Sequence, residues 1–354
     1  MTRPTAPVFA LLAAALLANA QPPAPPVIVS VESSLPTATG QIRQFAFDGD
    51  PDTHFASARN ATKDDHFTVV FEKGVFVKSV SVKTGRPDGG DELAAGALEF
   101  SADGKKFVPL AKFDSGSARG DGGGRKMLAV RVKPTGDQNT PLVVREVVVD
   151  STPKLAAFKY PVEVVVKADE VPDMKAWGEK AARICERNYG MICDELWSEG
   201  YKPEKFLTLT FKKDYKGIGV AEAWGTAMTA SADFFRKNPT DFGAFIHEAT
   251  HLAQLYRKGG EPPWLVEGIA DYIRYFKYEP GKLGKLTPEQ AKYDGSYGTT
   301  ARFLDYVERT HSKGVVKKLN AALREGRYTE ETWKEITGKS VVELGQKWRA
   351  SLAK

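Results

Sequence analysis

The chain has 354 residues, 50 of them basic and 45 acidic, for a formal net charge of +5. Hydrophobic residues make up 42% and charged residues 27%, a globular balance that excludes a disordered or fibrous chain and leaves room for two or three domains. The basic excess lies mainly in residues 301–354, where the charges alternate along helical spacing; this is a solvated face and gives no support to nucleic-acid binding.

Arg3 precedes an apolar run, Val8–Ala18, and Ala18-Asn19-Ala20 supplies a small-x-small cleavage site before Gln21. The run is shorter than the ~20 residues that span a bilayer, and Pro22, Pro23, Pro25 and Pro26 follow it at once. Residues 1–20 read as a secretory signal, with an uncleaved anchor as the alternative, and no later segment reads as a transmembrane helix. The mature protein is expected to be secreted, either extracellular or periplasmic.

From Val27 to Asp150 the pattern is one of short strands: Phe67–Phe71, Val77–Lys83, Ala97–Ser101, Phe107–Leu110, Met127–Val132 and Leu142–Val149. Asp103-Gly104 predicts a hairpin turn with positive φ at both positions, and Pro87–Asp91 and Ser115–Arg125 predict loops. An all-β sandwich accommodates these elements. Phe47-Asp48-Gly49-Asp50-Pro51-Asp52-Thr53-His54-Phe55, then Leu98–Phe107, then Leu142–Val147 resemble the discoidin fold of coagulation-factor C domains and many carbohydrate-binding modules. Phe55 and Phe67 stand where such domains usually carry Trp. The resemblance implies a jelly-roll, a carbohydrate or cell-surface ligand, and a structural calcium held by the acidic loop. Asp48, Asp50, Asp52 and Thr53 offer hard oxygen ligands of the kind Ca²⁺ takes; an acidic turn without an ion is the alternative.

Ser151–Pro161 reads as a linker, and beyond it the period changes. Val162–Val166 and Phe206–Phe211 predict strands; Met174–Arg187, Asp241–Lys258, Pro263–Phe276, Thr299–Thr310, Gly314–Glu325 and Val341–Leu352 predict helices. Cys185 and Cys193 are the only cysteines, and in an oxidising compartment they are expected to form one local disulfide. Thr337-Gly338-Lys339-Ser340 is no phosphate loop, because Trp333 takes the place of the first glycine.

His247-Glu248-Ala249-Thr250-His251 is an HExxH motif within a predicted helix, in a chain with only five His. Residues i and i+4 share a helix face, so both imidazoles can reach one zinc ion while Glu248 serves as general base toward water. Glu267 and Asp271, again i and i+4, follow on a second helix. Glu267 is the candidate third ligand, and Asp271 the candidate acceptor for the other ring nitrogen of a ligand imidazole, His247 in the first instance. A metzincin would need Gly and His where this chain has Gln254 and Arg257, so the arrangement is of gluzincin type.

Phe245–Gln254, Trp264–Arg274 and Tyr297–Tyr306, in this order, closely resemble the basic secretory protein family, a family of zinc peptidases of plants and microbes. The resemblance spans about residues 160–352 and implies a zincin-like fold, bound zinc and a protein or peptide substrate. It also implies that Ala227–Ser231 is the edge strand that pairs with an extended substrate. For a neutral donor to the developing oxyanion, Tyr297, Tyr272, Tyr275 and His311 are candidates; Tyr297, in a Gly-flanked turn of the third block, is preferred.

The whole reads as multidomain: a signal peptide (1–20), a discoidin-like all-β jelly-roll sandwich (27–150), a linker (151–161) and an α+β zincin-like peptidase domain (162–354). The function expected is that of a secreted zinc metallopeptidase with an appended binding module. A glycan- or surface-binding protein with a degenerate peptidase half, and a non-peptidase zinc hydrolase, are the competing readings.

Overall fold

A computed structural model describes residues 24–256 and 262–353; the signal-peptide reading falls outside these. Among the described residues, two hydrophobic clusters form, one from strands before residue 150 and one from residues beyond Val162. No helix of the described residues is long and apolar enough to cross a membrane.

The N-terminal half is all β: β1 (Val29–Ser33), β2 (Phe55–Asn60), β3 (Phe67–Thr84), β4 (Gly96–Ser101), β5 (Val108–Lys112), β6 (Ser117–Pro134) and β7 (Pro141–Thr152). The strands run in the order β2-β7-β3-β6-β4-β5, with β1 also on β3. The start of β3 pairs with β1 and its end with β7, and the register breaks between Val70 and Val75. Breaks of this kind bend a strand, so β3 and β6 each serve both layers of a sandwich. Phe55 and Phe67, which stand at the Trp positions, fill the core with ring centroids 4.9 Å apart.

Three local expectations are corrected here. Residues 115–125 do not form a loop; from Ser117 onward they are the first half of β6, because β3 pairs with Ser117–Asp121 and again from Arg125, and the glycines between them make a bulge rather than ending the strand. Asp103-Gly104 is not a two-residue hairpin turn: six residues separate β4 from β5, and of the pair only Gly104 has positive φ. Residues 151–161 are no free tether. β7 runs on to Thr152, the Val27 amide donates to the Lys154 carbonyl, and Phe158 packs edge-on against Phe47.

The C-terminal half holds a four-stranded sheet and its helices. Its strands are β8 (Glu163–Lys167), β9 (Phe206–Lys212), β10 (Ala221–Trp224) and β11 (Ala227–Ser231), in the order β10-β11-β9-β8. All are parallel except β10, which runs antiparallel to β11. The expected edge strand Ala227–Ser231 is therefore internal, and β10 lies outside it. Helix α1 (Lys175–Glu195) crosses from β8 to β9; α2 (Ala232–Lys237), α3 (Gly243–Gln254), α4 (Pro263–Tyr272), α5 (Tyr297–Thr310), α6 (Val315–Arg324), α7 (Glu331–Thr337) and α8 (Val341–Leu352) follow.

The expected disulfide does not form: both cysteines are free. Helix α1 continues through Glu195, so Cys185 and Cys193 lie on one helix. Eight residues at 1.5 Å rise set them ~12 Å apart, twice the Cα separation a disulfide spans. Burial pushes both thiols up, that of Cys193 to about 12, and neither is a thiolate.

Two contacts position the later helices. Trp177 of α1 stacks on Phe242 (5.0 Å, 14°) and lies 5.8 Å from Phe245 of α3, backing the start of α3 with rings. Helices α4 and α5 cross closely at Gly268, where an added Cβ would fall 2.2 Å from Thr300 Cγ2. Thr300 is fully buried and donates to the Tyr293 carbonyl at 2.8 Å, so it has no room to yield. Gly268→Ala should therefore destabilise the protein by about 1–3 kcal/mol, the usual cost of overpacking a core. A denaturant midpoint equal to that of the unsubstituted protein would show that the α4–α5 contact is loose.

Candidate metal centre

Helix α3 is buried along nearly its whole length; only His251 of its twelve residues is partly exposed. Arginines tie down both ends. At the start, Arg274 bridges Asp241 (2.6 Å) and Glu279 (2.8 Å), while Asp241 accepts from the Ala244 amide. At the end, Arg324 donates to the carbonyls of Ala253 and Gln254, where unsatisfied helix carbonyls favour a cation.

Held in this way, α3 turns His247 and His251 to one side, with Nε2 atoms 3.0 Å apart. Glu267 Oε2, from α4, lies 3.1 Å from His247 Nε2 and 3.4 Å from His251 Nε2. Among the described residues this is the only group of three or more His, Cys, Asp or Glu whose ligand atoms all fall within 4.8 Å of one another. Two imidazoles and one carboxylate, each presenting one donor to a common point, suit zinc and leave a fourth position open.

The remaining ring nitrogens are spoken for. His247 Nδ1 donates to Asp271 Oδ1 at 2.7 Å, and His251 Nδ1 donates to Gln254 Oε1 at 2.8 Å. With Nδ1–H engaged in these bonds, each ring in its neutral form carries its lone pair on Nε2, the tautomer a metal requires. Gln254 also donates from Nε2 to the Val266 carbonyl at 3.0 Å, which ties the end of α3 to the residue before Glu267. Sequence reasoning missed this role of Gln254; its place three residues after His251, on the same helix face, is the signal that was available.

Electrostatics follow from burial and proximity. Burial alone would raise Glu267, but the two imidazoles bring it down to about 2. Burial opposes charging of His247, and the hydrogen bonds its ring donates to the Asp271 and Glu267 carboxylates outweigh it, raising the imidazole to about 9. Glu248 is 7% exposed; its pKa is raised by burial, with Glu267 and Glu222 adding to the effect against the two imidazoles. A desolvated carboxylate of raised pKa is a stronger base than one in water.

Tyr297 opens α5 with its ring over His247, centroids 6.1 Å apart and planes at 19°. Its backbone and that of Ser296 have φ of 45° and 62°, a conformation that non-glycine residues seldom adopt outside functional turns. The side chain is 52% exposed, and burial together with Glu267, Asp271 and Glu248 raises its pKa, which keeps the phenol protonated as a donor. Tyr272 instead stacks on Phe276, Tyr275 lies under Arg274, and His311 packs edge-on against Tyr306.

The acidic loop of the N-terminal half is arranged differently. Asp48 accepts from the Asp50 amide and from the Thr53 hydroxyl, and Asp50 accepts from the Asp52 amide. The Asp48, Asp50 and Asp52 carboxylates do not converge as the His247 group does. Facing the loop, however, Glu146 of β7 has a buried Oε2 with no hydrogen-bond partner. Burial, with the charges of Asp48 and Asp50 adding, pushes Glu146 up to about 7. Glu146 Oε2 thus stands as one unpartnered oxygen beside Asp48 and Asp50, hard donors of the kind a cation such as calcium takes.

Residues 212–348 match the model of the BSP family, described as a peptidase of plants and bacteria. The matched span contains His247, Glu248, His251, Gln254, Glu267, Asp271 and Tyr297. No curated protein matches the chain. Among solved structures, the N-terminal part is similar to CBM32-1 from a family 31 glycoside hydrolase of Clostridium perfringens, with TM-score 0.31 and 15% identity over 34% of this chain and 92% of that one. It is also similar to chitosan-binding module 1 of a chitosanase/glucanase from Paenibacillus sp. IK-5, with TM-score 0.30 and 19% identity over 34% and 93%. A third is the family 32 carbohydrate-binding module of C. perfringens NanJ in complex with galactose, with TM-score 0.30 and 11% identity over 35% and 97%. At these scores none of them assigns a ligand to this chain.

Proposed function

Proceeding from the peptidase-family match, we propose that the protein is an exported zinc-dependent peptidase of gluzincin type with a zincin-like catalytic half. The observation that carries this reading is the convergence of His247 Nε2, His251 Nε2 and Glu267 Oε2 beside a buried Glu248. The metal, when bound, supplies Lewis acidity toward a carbonyl oxygen and acidity to water. Glu248 takes the proton of the attacking water and delivers it to the leaving amine, with its raised pKa suited to both. Tyr297, protonated and facing the same space, donates to the developing oxyanion. Asp271 and Gln254 hold the two imidazoles in their ligating tautomers. An extended substrate adds to the outer edge of β10, the end strand of the sheet order β10-β11-β9-β8 and the one that packs against α3.

Export rests on the Val8–Ala18 leader and its small-x-small site. A carbohydrate or cell-surface ligand for the N-terminal half rests on the discoidin resemblance, and calcium at Asp48, Asp50 and Glu146 rests on the orphaned Glu146 oxygen.

Zinc content and casein or peptide turnover, measured side by side for Glu248→Gln and Glu267→Gln, test the catalytic assignment. Glu248→Gln should keep zinc and lose ~10²–10⁴ in rate, the contribution of a general base. Glu267→Gln should lose both metal and rate, since an amide is the poorer zinc ligand. Full activity in Glu248→Gln sinks the peptidase mechanism, and stoichiometric zinc with turnover of other hydrolysable substrates alone points to a non-peptidase hydrolase.

Calcium is tested by thermal unfolding with added Ca²⁺ and with chelator. At a hundredfold excess over Kd, linkage stabilises the folded state by about 2.7 kcal/mol, and Glu146→Gln should remove most of that shift. An unfolding curve indifferent to Ca²⁺ at millimolar concentration would contradict the site.

A further inference from the structure

Strand β8 forms one margin of the catalytic sheet, with β9 on one side and, among the described residues, no strand on the other. An open margin of this kind presents unpaired amides and carbonyls and invites pairing with other chains. Here side chains take up those groups. The Val162 amide donates to Gln44 Oε1 and the Val164 amide to Glu186 Oε1, both at 2.8 Å. The Val164 carbonyl accepts from Arg183 Nη2 at 2.9 Å, and the Val166 carbonyl accepts from Lys175 Nζ at 2.7 Å. Three of these four capping residues come from α1; Gln44 comes from the N-terminal half, 118 residues away.

Gln44 belongs to a single 3-10 turn, Arg43–Phe47, whose first two residues reach β8 and α1. Its neighbour Arg43 reaches two carboxylates of the catalytic half, Glu186 at 3.2 Å and Glu163 at 3.4 Å. The Arg43 amide and the Thr37 hydroxyl donate to Glu163 as well, at 3.0 and 2.6 Å. Glu163 and Glu186 are each 3% exposed, and Arg183, 2.9 Å from Glu186, is the cation their own half supplies. Two buried carboxylates with one guanidinium leave a net buried charge, which a protein core tolerates poorly. Arg43 completes the balance from across the interface.

We propose that the N-terminal half is a built-in edge guard of the catalytic sheet: through Gln44 it closes the β8 margin, and through Arg43 it neutralises the Glu163–Glu186 pair. The catalytic half is then not self-sufficient, and the two halves keep one fixed orientation whatever the sandwich binds. This does not depend on zinc or on peptidase activity.

The test uses the full chain with a protease site inserted after the exposed Lys159. After cutting, the two pieces should leave a gel-filtration column together at the size of the intact chain. In Arg43→Met their association should weaken on the order of a hundredfold or more, the scale of stranding a buried charge, and the released catalytic piece should self-associate. If Arg43→Met fails to fold while Arg43→Lys folds and its cut pieces part more readily than those of the natural sequence, the proposal stands. A natural-sequence catalytic piece that separates on cutting and stays monomeric overturns it. So do cut Arg43→Met pieces that remain together as tightly as those of the natural sequence.

Discussion

The hydrogen bond between His247 Nδ1 and Asp271 Oδ1, 2.7 Å long and buried, is the interaction on which the rest of the candidate site depends. It joins α3 to α4 and fixes one ring in the tautomer that leaves Nε2 free. One turn earlier on α4, Glu267 then meets both imidazoles, and Gln254 makes a second tie from α3 to the Val266 carbonyl. Gathering three polar ligand atoms at one point of a largely dry interior costs desolvation. Their persistence is explained by how firmly α3 is held: rings of Trp177 and Phe242 behind it, Arg274 at its start and Arg324 at its end.

The same half treats the two margins of its sheet in opposite ways. At β8 the backbone groups are occupied by side chains, one of them from the sandwich. At β10 the strand is short and antiparallel to its neighbour; it ends on Trp224, 68% exposed, and Ile218, 87% exposed, lies just before it. Closing one margin removes a route to aggregation, and the other, with β11 on its inner side, is the margin at which the proposed function seats an extended chain. The sandwich is thus placed at the margin away from α3, where docking it does not cover His247 or Glu248.

Much of this was legible in the sequence, for definite reasons. HExxH followed by ExxxD carries its geometry in its spacing, because i and i+4 must share a helix face. Helix α8 begins at Ser340 with a capping box to Glu343, and its bounds, Val341–Leu352, are those its pattern predicts. What could not be read was set by partners distant in the chain. Residues 117–125 look like a loop until β3 is laid beside them, and Ala227–Ser231 looks like an edge until the four residues of β10 pair with it. Cys185 and Cys193 suggest a bridge until α1 proves two turns longer than its apolar pattern. Gln44, Arg43 and Glu146 carry no motif at all; Gln44 and Arg43 matter because a distant segment leaves polar atoms for them to meet, and Glu146 because one of its own oxygens is buried beside the acidic loop without a partner.

The most direct test of the central claim, a metal held between α3 and α4, is X-ray absorption at the zinc edge of the loaded full-length protein. The account predicts a first shell of nitrogen and oxygen only at about 2.0–2.2 Å, with the outer-shell scattering of two imidazoles. In His251→Ala that imidazole signal should fall by half or vanish with the metal. Sulfur at about 2.3 Å, or a zinc shell without imidazole, would contradict the assignment of His247, His251 and Glu267.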